Sequence, residues 1–92
     1  MLANLEYKRS AHLLEPEARE LAARLSRSES RGASIAHSKV VTAITDSSPG
    51  VLDDDEAVAI AEVLDEWLGE SSDIEPAALE CLEKLRRVCT PA

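Results

Sequence analysis

An all-α domain, a compact bundle of four to five short helices, is the fold class that the apolar spacing predicts. Three observations carry it. Apolar residues recur at i, i+3, i+4 and i+7 in several segments. Helix-opening chemistry appears three times, as Glu15-Pro16, Asp53 through Glu56, and Glu75-Pro76. Only one segment leans toward a strand, and nothing else in the chain reads as its partner.

The first segment, 2–14, has helix-forming composition but a weak stripe, Tyr7, Ala11 and Leu14. The second helix is expected over 16–27, where Ala18, Leu21, Ala22 and Leu25 lie on one face. A polar loop from Ser26 to Gly32 follows. The third helix, 34–45, is the ambiguous one, because Val40, Val41, Thr42, Ile44 and Thr45 favour a strand. A lone strand would leave its backbone unpaired, so helix is the expectation. Asp46-Ser47-Ser48-Pro49-Gly50 reads as a turn.

The clearest helix is 53–68. Asp53 and Glu56 have capping-box spacing, Leu52 and Ala57 occupy the staple positions, and Asp53, Asp54, Asp55 and Glu56 all suit the positive end of the helix dipole. Ala57, Ile60, Ala61, Leu64 and Leu68 form its inward stripe, with Trp67 alongside and Gly69 placed to end it. The last helix, 76–89, turns Ala78, Leu82, Leu85 and Cys89 inward, and Pro91 follows its end. The likeness between residues 15–27 and 75–87 is attributed to shared helix chemistry rather than to duplication.

On length, the 92 residues are expected to form a single helical domain, 1–92. Tyr7 and Trp67 are the only aromatics, so the core rests on Leu, Val, Ile and Ala, which bury little area each at about 25 cal/mol per Å². No apolar run approaches the roughly 18–20 residues of a membrane span, and no secretory leader is evident, so no membrane association and a cytoplasmic location are expected. Cys81 and Cys89 sit eight residues apart in one helix, about 12 Å by helical rise, too far to bridge.

Net charge is −8, and it is unevenly spread. Residues 1–45 carry seven Lys/Arg against five Glu, whereas residues 46–92 carry three against thirteen Asp/Glu. Such polarity points to a partner-facing side.

Motifs for chemistry are not found. His12 and His37 lack a second ligand at zinc spacing. An EF-hand loop starting at Asp53 would need Gly and Glu where Val58 and Leu64 stand. Nothing in the sequence activates either cysteine, no cofactor is implied, and an enzyme is not expected. Residues 21–28 faintly resemble the start of a helix-turn-helix, but 29–37 lacks the periodicity of a recognition helix, and the negative charge opposes phosphate contact. Asp46-Ser47-Ser48 lacks the Leu and helix start that mark the modified Ser of acyl carrier proteins.

The remaining expectation is a protein-interaction module that docks a basic protein, or a nucleic-acid-binding protein complex, through an acidic helical face. Asp55, Glu62 and Glu66 lie opposite the inward stripe, Asp65 and Glu70 stand nearby, and Trp67 is the candidate anchor. Immunity proteins, anti-CRISPR inhibitors and adaptor domains share this small acidic character, although no motif of those families is present. A self-associating subunit or homodimer is the alternative, and direct DNA binding a weaker one.

Overall fold

Ala3 and Leu5, and again Ala11 and Leu13, are buried with exposed or half-buried residues between them, a period of two rather than 3.6. That alternation makes the N-terminal segment a β-hairpin. The computed structural model describes residues 2–70 and 73–90. In chain order they form β1 (Leu2–Glu6), β2 (Ser10–Leu14), α1 (Glu15–Arg27), α2 (Arg31–Asp46), β3 (Gly50–Val51), α3 (Asp54–Glu70) and α4 (Pro76–Val88).

The all-α expectation is therefore wrong: four helices stand beside a three-stranded mixed sheet of order β2-β1-β3. β1 and β2 are antiparallel, with Ala3 opposite Leu13 and Leu5 opposite Ala11. β1 and β3 are parallel, with Leu5 opposite Gly50. The expected helix over 2–14 fails because residues 3, 5, 11 and 13 cannot share one face of a helix, while they do share one face of a hairpin. Leu14, placed on the expected helical stripe, is exposed.

Residues 34–45 are helical, but not for lack of strands elsewhere. Ala33, Ala36, Val40, Ala43 and Ile44 recur at helical spacing and are buried. The helix also starts earlier than expected, at Arg31, so it includes Gly32. A Cβ on Gly32 would lie 2.7 Å from the Asp55 carbonyl oxygen and 3.3 Å from the Ala59 Cβ. Gly32 is thus present for close approach of α2 to α3, not as a helix breaker. Gly50, expected in a turn, opens β3, where an added Cβ would meet Leu5 Cδ2 at 2.9 Å. The turn before it contains Ser47 in the left-handed region (φ 55°).

α3 begins as its residues demand. Glu56 Oε1 accepts a hydrogen bond from the Asp53 N–H at 3.1 Å, the reciprocal half of a capping box. Leu52 and Ala57 on either side are buried. Glu56 is itself only 1% exposed and pairs with Lys39 of α2 at 3.0 Å. Lys39 Nζ also donates to the Val51 carbonyl, so one ammonium ties together α2, β3 and α3. Gly69 does not end α3, which continues to Glu70. Pro91 lies outside the described residues.

α1 packs on α2, and α2 on β1 and α3; α4 lies against β2 and α3. The buried residues of all four helices and of the hairpin form one cluster. Among the described residues, no helix is long and apolar enough to cross a membrane.

Candidate partner groove on the acidic helix

α3 buries Ile60, Leu64 and Trp67 on one side, and the 3.6-residue period therefore sends Asp55, Glu62 and Glu66 to the other. All three are exposed, and among the described residues none of them makes an ion pair or a side-chain hydrogen bond. Seven and four residues apart, they form a ridge with gaps of about 10 and 6 Å by helical rise.

Asp65 and Glu70 flank this ridge on opposite edges, and each is tied to a neighbouring helix. Arg86 of α4 grips Asp65 with two parallel hydrogen bonds, Nε to Oδ1 at 2.7 Å and Nη2 to Oδ2 at 2.9 Å. The hydrogen bonds from Arg86 hold the Asp65 carboxyl below its ordinary range and in turn raise the guanidinium. Glu70 accepts from Arg24 Nη1 at 3.3 Å, and Arg24 Nε reaches Glu20 at 3.2 Å. These two acids hold the fold's seams.

Trp67 is 8% exposed and belongs to the core. The Arg24 guanidinium carbon lies 4.7 Å from the centre of its ring, covering what remains of the indole. It therefore offers a partner almost no surface. The expected site residues thus divide into an exposed trio, two tethered flanking acids and one covered indole.

Sequence reasoning missed the walls around the trio. Between α3 and the α1–α2 junction run two adjoining hollows of about 340 and 520 Å³, which share Ser30, Ala59 and Glu62. Val58, 46% exposed, and Ile35, 42% exposed, both line the second hollow. Val58 was legible as part of the acidic face, three residues after Asp55 and four before Glu62. Ile35 lay within the expected helix 34–45, but its place beside Val58 was not legible, because it depends on how α2 packs against α3. Opposite the acids stand Arg27 in the first hollow and Arg31 in the second, neither in an ion pair among the described residues.

Away from the groove, Tyr7 and Cys89 belong to the fold. The Tyr7 hydroxyl donates to Asp54, tying the hairpin turn to the start of α3, and that bond raises the phenol above its usual value. Burial pushes the Cys89 thiol up to about 12, against the opposing pull of Arg86, so it stays protonated and a poor nucleophile at neutral pH. Among the described residues, no three His, Cys, Asp or Glu side chains are grouped to hold a metal ion.

No family model, curated protein or solved structure matches the chain.

Proposed function

We propose that the chain is a protein-interaction module that docks a basic partner protein through the outer face of α3, in the manner of an inhibitor, immunity or adaptor protein. One observation carries the reading: Asp55, Glu62 and Glu66 are exposed and make no ion pair among the described residues, while Asp65 and Glu70 on the same helix each make one. Three unneutralised charges on one rigid helix steer a cationic surface toward them. Their effect is concentrated in the rate of association and is screened by salt.

A fluorescent helical peptide with lysines along one flank only, followed by anisotropy, tests this. Binding weakens by about tenfold or more as salt rises from about 10 to 150 mM, over which the Debye length falls from about 30 to 8 Å. The double variant Glu62→Lys with Glu66→Lys abolishes what is left. Binding indifferent to both salt and charge reversal overturns the proposal.

A further inference from the structure

We infer that the groove between α3 and the start of α2 takes an amphipathic helical segment of the partner, with an apolar stripe seated on Ile35 and Val58, cations along one flank and a carboxylate on the other. This rests on the docking role proposed for the acidic face and specifies its occupant.

The argument starts from the two walls. On the α3 side, Asp55, Glu62 and Glu66 present negative charge without an ion pair among the described residues. On the facing side, Arg27 and Arg31 present positive charge, also without an ion pair among the described residues. A uniformly basic segment would meet repulsion there. The complementary segment is two-sided, basic toward α3 and acidic toward α2. Between the walls, Ile35 and Val58 are two large aliphatic side chains left more than two-fifths exposed in the same hollow. Their burial requires apolar residues on the ridge between the partner's two flanks, and a helix supplies that sequence of faces in under half a turn of its surface.

Close approach of the two walls is set by Gly32, which lets α2 rest on the α3 backbone at Asp55. From Asp55 to Glu70 the exposed side of α3 extends about 23 Å by helical rise, room for about four turns of a docked helix. One end of the groove is lined by Arg24, which stacks on Trp67, so an occupant there perturbs the indole without touching it.

Two labelled helical peptides of equal charge test the inference, both with Lys on one flank and Glu on the other. One carries a Leu stripe between the flanks and the other a Ser stripe. The wild-type chain binds the Leu peptide about tenfold more tightly or better, with a change in Trp67 emission. Val58→Ser or Ile35→Ser, both surface substitutions checked for folding by circular dichroism, removes that preference. Arg31→Glu weakens binding of both peptides.

If charge reversal at Glu62 and Glu66 abolishes binding while the Leu stripe, Val58→Ser and Ile35→Ser have no effect, the groove inference fails and the acidic-face reading stands. If the Leu peptide binds but ignores Glu62→Lys and Glu66→Lys, the acidic-face reading fails as well. A concentration-dependent dimer, abolished by Val58→Ser in sedimentation velocity, would assign the groove to a second copy and overturn the inference.

Discussion

The two flanks of α3 are built from the same acidic helix but end differently. On the α4 flank, Arg86 reaches across to Asp65 in a two-pronged pair, and Leu82, Leu85 and Cys89 of α4 and its C-cap are fully buried in the core. On the α2 flank, close backbone contact at Gly32 leaves a hollow above it, with charged walls and two exposed aliphatic side chains. The difference teaches that an acid's role is set by what stands opposite. Asp65 and Glu66 are adjacent in sequence and both exposed, yet one is paired across to α4 and the other has no partner among the described residues.

The largest expected effect tests the closed flank. Leu82→Ala empties a fully buried position on α4 and costs about 2–5 kcal/mol of stability in urea unfolding. A loss below about 1 kcal/mol would show that α4 is loosely seated, and the contrast between the flanks would weaken.

A smaller effect tests the open flank. Gly32→Ala gains up to about 1 kcal/mol of helix propensity, but its methyl meets the Asp55 carbonyl at 2.7 Å. Forcing α2 from α3 makes the substitution destabilising overall, by about 1–3 kcal/mol in thermal or urea melts. A rise in melting temperature would mean that the walls of the groove are not held by this contact.

The smallest effect concerns the Arg86–Asp65 pair, which is exposed enough for solvent to screen it. Its signature is pH dependence. The folded-state value of Asp65 lies below the ordinary carboxylate value, about 3.9 in an unfolded chain. The pair's contribution is therefore complete above that value and disappears as pH falls through the lower folded-state one. Urea midpoints measured against pH should fall less steeply in acid for Asp65→Asn than for the parent. Identical acid limbs would show that the bridge contributes nothing to the closed flank.

Much of α3 was legible because its signals are local. Glu56 lies three residues after Asp53, Leu52 and Ala57 flank the cap, and the stripe repeats within four turns. The burial of Ala18, Leu21, Ala22 and Leu25 on α1 was readable for the same reason. The hairpin was obscured by composition: its inward residues are Ala and Leu, both good helix formers, and no β-branched residue marks either strand. Only their alternation betrayed it. The acidic trio could be placed on one face from spacing alone. The opposing Arg27 and Arg31, and the cover that Arg24 lays over Trp67, come from elements distant in sequence or from a helix start that Gly32 disguised.

What the sequence determined alone is therefore what a single helix turn can encode: caps, stripes, the sidedness of α3 and the concentration of negative charge in the second half. Tertiary structure decided what depends on a second element. It paired β1 with β2 and β3, because a hairpin could bury Ala3, Leu5, Ala11 and Leu13 together and one helix could not. It also divided five exposed acids of α3 into two tethered and three unpaired among the described residues, because Arg86 and Arg24 come within hydrogen-bonding reach of Asp65 and Glu70. Charge is a property of the residue, whereas its availability to a partner depends on which neighbours the fold brings within a few ångströms.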